Sequence, residues 1–306
     1  MDADVAVSTA RPSAFRETFR LVSSLFKMRV VSLLLFASVG GAFLGRRGIP
    51  SVITLAVLLI TGALAAGGAS AINQYIERDN DPKMKRTRQR PLATGQITHP
   101  RVVLWIAIAM IATAVLSVLP ANPMMAFYLG LGAVIYVGIY TIWLKPRSVL
   151  NIVIGGAAGS CAVMTGGAAV GAAFDPAVIS LALLVFLWTP AHFWALAMMY
   201  KDDYAAADVP MLPVYATAGS TAWWIFAHAA STAIAALALA ANPALGFVYL
   251  VPTALITVVF LVGSVRLIRT PVRGQAIRLF VTSNIFLALV LMAIIVAAVW
   301  HQVASV

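Results

Sequence analysis

Pro50-Ser-Val-Ile-Thr-Leu-Ala-Val-Leu-Leu-Ile-Thr-Gly-Ala-Leu-Ala-Ala-Gly-Gly-Ala-Ser-Ala-Ile-Asn-Gln-Tyr-Ile76 runs without a single charged side chain. A bilayer demands roughly 20 apolar residues of a spanning helix, so this stretch reads as a transmembrane segment. Working outward from it, eight more stretches of similar character appear. The full set is 29–45, 50–76, 102–120, 123–144, 149–173, 177–200, 220–241, 244–265 and 278–300. Leu119-Pro120-Ala121-Asn122-Pro123, Asp175-Pro176, Asn242-Pro243 and Thr270-Pro271 punctuate the apolar runs where helices should stop. Hydrophobic residues make up 62% of the 306 and charged ones only 10%, against about 25% charged in an ordinary soluble domain. No water-soluble fold hides that much apolar surface. The expected fold is therefore all-α, a polytopic membrane protein of about nine transmembrane helices: a segment 1–28 followed by a single domain 29–306.

The 21 Lys and Arg residues fix the expected orientation, because loops close to the membrane hold their positive excess in the cytoplasm. The amino-terminal segment, up to the first residue of the first span, carries five (Arg11, Arg16, Arg20, Lys27, Arg29), and seven, two, one and four follow the second, fourth, sixth and eighth. Only Arg46 and Arg47 fall on the other side. This split implies a cytoplasmic amino terminus and a periplasmic carboxyl terminus in a bacterial inner membrane. All ten acids but Asp175 share the cytoplasmic side, so chemistry is expected there. The net charge of +11 sits beside membrane spans, where attraction to anionic lipid explains it and nucleic acid is not required. No apolar segment with a small-residue cleavage pattern precedes the first span, so a retained first helix is expected. Cys161, the one cysteine, can form no internal disulfide and reads as a packing residue.

The most informative loop follows the second span: Asn73-Gln-Tyr-Ile-Glu77-Arg78-Asp79-Asn-Asp81-Pro-Lys83-Met-Lys85-Arg86-Thr87-Arg88-Gln-Arg90-Pro91-Leu92. Asn73, Glu77 and Asp81 are spaced by four, so a helix continuing past the apolar run would project all three from one face. Pro82 disfavours helical backbone at Asp81 and sets that carboxylate at or just beyond the helix end. Oxygen ligands at an exposed rim suit Mg2+, which takes one or two carboxylates and completes its shell with water and phosphate. Arg86 and Arg90 offer planar forks for phosphate oxygens. Acid and base interleaved this closely fit a metal plus diphosphate. The bland alternative is a solvated loop face.

A second acidic cluster, Lys201-Asp202-Asp203-Tyr204 with Asp208, leaves the sixth span on the same side and favours the functional reading. Two carboxylate groups from separate helix ends can converge on one mouth. Lys145 and Arg147 on that face are either membrane anchors or a phosphate clamp, with Tyr136 and Tyr140 in the helix before them. His192, in Trp188-Thr-Pro190-Ala-His192-Phe193-Trp194, is the intramembrane histidine of interest: it could ligate a metal, position an acceptor or accept a proton, or simply bond a carbonyl freed by Pro190. The glycines between Gly130 and Gly138 and between Gly155 and Gly167 read as close helix packing.

These stretches resemble the UbiA-type intramembrane prenyltransferases. Asn73-x3-Glu77-x3-Asp81 with its basic continuation and the Asp202 to Asp208 region match the superfamily pattern. Within it, the protoheme IX farnesyltransferase subfamily is suggested by Asp81-x2-Met84-x-Arg86-Thr87-x2-Arg90-Pro91-Leu92, Tyr140-Thr141-x2-Leu144-Lys145, Asn151-Ile-Val-Ile-Gly155-Gly156, His192-Phe193-Trp194-Ala195-Leu196, and Asp203-Tyr204 with Pro210-Met211-Leu212-Pro213. Each is weak alone; their order and combination are specific. The resemblance implies helices around a central cavity, Mg2+, farnesyl diphosphate as donor and heme B as acceptor, giving heme O. It implies metal ligation by Asn73, Glu77, Asp81, Asp202, Asp203 and Asp208, with Asn73, Glu77, Asp81 and Asp203 as the catalytic set. Arg86, Arg90, Lys145 and Lys201 would bind diphosphate, and His192 and Tyr140 the acceptor. Two departures stand out: Pro146 splits Lys145 from Arg147, and Ser160-Cys161-Ala162-Val163 lacks expected prolines. A quinone precursor or chlorophyll-like acceptor is the alternative within the superfamily. An ion-coupled transporter is the distant one, disfavoured because the acids cluster at helix ends and no internal repeat is seen. The oligomeric state is not legible.

Overall fold

The computed structural model describes residues 14–305; Arg11 and the rest of segment 1–13 lie outside them. A short surface helix α1 (Ala14–Leu25) leads into α2 (Met28–Arg46), α3 (Val52–Glu77), α4 (Pro100–Val118) and α5 (Pro123–Ala133). The last runs on as a π-helical segment, Val134–Leu144. Then come α6 (Asn151–Gly155), α7 (Ala157–Ala169), α8 (Pro176–Met199), α9 (Lys201–Ala206), α10 (Leu212–Tyr215), α11 (Ala218–Ala238), α12 (Gly246–Arg269) and α13 (Arg273–Ala304). Among the described residues nine helical units are long and apolar enough to cross a membrane, α5 counting with its π-helical extension and α6 with α7.

The starts of these helices are written in local chemistry. Ser51 accepts the Thr54 N–H, Asn122 the Met125 N–H, Asp175 the Ala177 N–H and Thr217 the Ser220 N–H, and Pro123 and Pro176 occupy first helical positions. Each satisfies a donor that the helix itself cannot. The outward faces carry apolar side chains such as Trp105 and Leu255, while Asn73 and Gln74 are buried. That distribution suits a lipid exterior and a polar interior. At the centre α8 packs against α2, α6, α7, α11 and α13.

Close approach of α2 and α7 depends on glycine, as expected of helices that lipid does not drive together. A Cβ on Gly166 would strike the Ser38 carbonyl and the Ala42 amide, and one on Gly41 the Val163 carbonyl. Backbone on both sides leaves nothing to move aside. Gly166→Val is therefore expected to cost about 1–3 kcal/mol, read as a lowered unfolding midpoint in detergent; an unchanged midpoint would refute this packing. The same reading fails at Gly138, where a Cβ would meet nothing.

As Pro82 implied, Asp81 lies just beyond the end of α3 at Glu77, where it opens a separate three-residue turn. Two further expectations need correction. The span expected at 149–173 is two helices joined at Gly156. The span at 123–144 is an α-helix only in its first half.

Candidate active site

The acidic loops meet at one end of the bundle. Asn73 on the last turns of α3 is held by its amide, which donates to Glu77 Oε1 at 2.9 Å and to Thr141 Oγ1 at 3.0 Å. That fixes its Oδ1 toward Lys27, whose Nζ donates to it at 2.5 Å and to Tyr136 Oη at 3.0 Å. Arg90 Nη1 donates to both oxygens of Asp81 at 2.8 Å and to Glu77 Oε2 at 3.3 Å. Lys145 donates to Glu77 Oε1. So Asn73 and Glu77 meet one turn apart on α3, and Arg90 joins Asp81, which lies beyond the helix, to Glu77.

The second cluster contributes Asp203 and Tyr204. Asp203 Oδ2 accepts the Arg86 backbone N–H at 3.2 Å, and the Arg86 guanidinium donates to Tyr204 Oη at 3.3 Å. Lys201, Asp202 and Asp208 are exposed. Asp208 also adopts a left-handed backbone, φ 54°, at the turn after α9. Among the described residues no three His, Cys, Asp or Glu side chains gather closely enough to hold a metal ion by themselves. The donors present are nonetheless all hard oxygens, which fits Mg2+ completed by water and phosphate, and each carboxylate of the first loop already binds positive charge.

The π-helical segment places the remaining cation. At 3.6 residues per turn, Lys145 would lie half a turn away from Tyr136, nine residues earlier. The wider turn of a π-helix, roughly 4.4 residues, returns it to nearly the same face. Lys145 consequently lies over the Tyr140 ring at 5.9 Å, and Tyr140 stacks on Tyr136, four residues earlier, at 5.7 Å. Tyr140 therefore stands with the cations of the mouth. Arg147 instead caps its own helix, donating to the Ile142 and Trp143 carbonyls at 2.9 and 3.0 Å. The loop is pinned to the neighbourhood of α9 and α10 by Asn151, whose amide donates to the Pro210 carbonyl at 2.9 Å. His192 bonds Ser283 rather than a carbonyl freed by Pro190, and Trp194 packs edge-on against His228 at 5.3 Å.

Sequence reasoning missed Lys27, counted only among membrane-flanking cations. It sits at the joint of α1 and α2 with a left-handed backbone, φ 49°, a strained conformation for a non-glycine residue. Burial pushes its ammonium well below the ordinary lysine range, with the Arg90 charge pressing the same way. Burial pushes the Asp81 carboxyl up, opposed by the Arg90 guanidinium. Rising pH therefore strips Lys27 of its charge earlier than an ordinary lysine. Lys27→Met is expected to raise KM for a diphosphate substrate about tenfold. Lys27→Arg is expected to extend the alkaline limb of kcat/KM to higher pH; a limb that stays in place would show that Lys27 does not set it.

The UbiA prenyltransferase family profile matches residues 33–301. The chain belongs to this family. It is a multi-pass membrane prenyltransferase. This UbiA member is 40% identical over 273 residues to a protein of Metallosphaera sedula named protoheme IX farnesyltransferase, covering 89% of this chain and 94% of that one. A protein of the same name from Saccharolobus islandicus is 35% identical over 283 residues, covering 92% and 98%. Among solved structures, digeranylgeranylglyceryl phosphate synthase superposes with a TM-score of 0.77 at 15% identity, covering 93% of this chain and 99% of that one. A UbiA homolog from Archaeoglobus fulgidus bound to DMAPP and Mg2+ gives 0.64 at 17% identity, covering 90% and 99%. These two likenesses establish the shared fold.

Proposed function

We propose that the chain transfers the farnesyl group of farnesyl diphosphate to a vinyl group of protoheme IX, heme B, releasing diphosphate and yielding heme O after water adds to the resulting cation. The observation that carries this reading is the 40% identity to a protoheme IX farnesyltransferase across 94% of that protein's length. The mouth is chemically suited to the first half of the reaction. Arg90, Lys145 and Lys27 face one another over Asn73, Glu77 and Asp81, and Arg86 adjoins from the Asp203 side. Mg2+ would be held by Asn73, Glu77, Asp81 and Asp203, and when bound it supplies positive charge that stabilises a departing diphosphate. The cations of the chain grip the phosphate oxygens and hold the allylic carbon at the apolar edge. Tyr136 and Tyr140 present aromatic faces beside it, suited to a delocalised allylic cation. The surrounding helices keep water away until the vinyl group attacks.

The distribution of basic residues favours an orientation with this mouth at the cytoplasm and the carboxyl terminus on the far side of the membrane. The direct test is incubation of the purified protein with farnesyl diphosphate, Mg2+ and either protoheme or an aromatic acid, with products identified by mass. A prenylated, hydroxylated heme is the expected product; prenylation of the aromatic acid alone would replace this reading.

A further inference from the structure

His192 is framed on every side but one. Its ring stacks on Trp188 with centroids 4.3 Å apart and on Phe280 at 4.5 Å, so α8 and α13 clamp both faces. Its Nδ1 lies 2.7 Å from Ser283 Oγ. With the single proton of that hydroxyl on the Phe280 carbonyl at 2.8 Å, the oxygen accepts from His192 and Nδ1 carries the hydrogen. Trp188 Nε1 donates to the Ser283 carbonyl at 2.9 Å and ties the frame together. In this tautomer Nε2 holds a free lone pair. No protein group takes it, and it is not among the buried atoms left unpartnered, so it opens onto accessible space.

That space lies inside the bundle. The outer stripe of α8 is marked by exposed Ile179 and Leu183. Nine residues on from Leu183, His192 stands two and a half turns later, on the opposite side of the helix. It also lies seven residues before the end of α8, about 10 Å below the charged mouth, where an acceptor must sit to meet a carbon released there.

We infer that His192 Nε2 is the ligand that takes the iron of the heme acceptor, which rests on the acceptor reading above. An imidazole whose Nδ1–H is fixed by a hydrogen bond while Nε2 points at open space is the arrangement by which proteins hold heme iron and other metals. Both ring faces being clamped, the iron is held along one direction and the porphyrin plane is set across it. His192 thereby acts as the acceptor's orienting contact, selecting which edge of the macrocycle meets the donor.

The test uses the full-length protein in detergent, titrated with protoheme and, separately, with iron-free protoporphyrin IX. Ferrous heme is read by absorption and by the iron–histidine stretch in resonance Raman. The wild type is expected to show that stretch. His192→Ala should lose it and weaken heme binding on the order of tenfold while protoporphyrin binding is unchanged. His192→Gly should regain the spectrum with added imidazole. Ser283→Ala, which keeps the ligand but removes the partner of its Nδ1, should shift the stretch. A wild-type spectrum retained in His192→Ala, equal losses for heme and protoporphyrin, or an unmoved stretch in Ser283→Ala would overturn the ligation. Such results alongside normal heme farnesylation would leave the acceptor reading standing; a wild type that binds neither porphyrin would remove both.

Discussion

Asp81→Ala is expected to lower product formation about a thousandfold while the protein remains folded. Asp81 is fully buried at the mouth, with both oxygens committed to Arg90. Removing it deletes a hard-oxygen donor from the first loop and, with it, the contact that aims Arg90. The fold should survive, because Arg90 keeps Glu77 Oε2 at 3.3 Å and the Thr87 hydroxyl still closes the loop on the Asp81 carbonyl at 2.9 Å. Turnover of farnesyl diphosphate at limiting Mg2+ is the deciding measurement, beside gel filtration of the same sample. Near-normal turnover under those conditions would remove Asp81 from the metal and diphosphate set. Asp81→Asn separates charge from shape: it should be as inactive as the alanine variant if the negative charge matters.

The second large effect concerns Glu77 and Lys145. Glu77→Gln strips a buried ammonium of its carboxylate, and breaking one side of a buried ion pair costs about 3–5 kcal/mol. A marked fall in the unfolding midpoint should accompany loss of turnover. Glu77→Gln with Lys145→Met removes the stranded charge as well, so the midpoint should recover most of the way while turnover does not. That divergence distinguishes a destabilised protein from one that lacks its chemistry. A double variant no more stable than Glu77→Gln alone would show that the pair is not what holds this corner together.

Much of this was legible in the chain. Apolar length and proline punctuation located the nine spans to within a few residues, because a bilayer imposes one simple requirement on each. The four-residue spacing set Asn73 and Glu77 on one face of α3, and Pro82 marked Asp81 as lying just past the helix end. What escaped is what depends on distant parts of the chain. Lys27 reaches Asn73 across 46 residues, and His192 meets Ser283 across 91, so nothing local marks either contact. The π-helical register of 134–144 escaped for another reason: its sequence is apolar throughout and shows no periodicity from which a wider turn could be read. Asp202 and Asp208 were grouped with Asp203 by nearness in sequence, yet only Asp203 turns toward the basic loop.

The way the mouth is neutralised has a consequence for what can enter it. While Lys27 keeps its proton, four cations, Lys27, Arg86, Arg90 and Lys145, stand among three carboxylates, Glu77, Asp81 and Asp203, leaving one positive charge uncancelled. A bare polyphosphate would swing this balance far to the negative, and a lone divalent ion would deepen the existing excess. Only the two arriving as a complex leave the tally close to where it began. A pocket at the border of hydrocarbon, where unbalanced charge is costly, thus screens its visitors by arithmetic before any shape is compared.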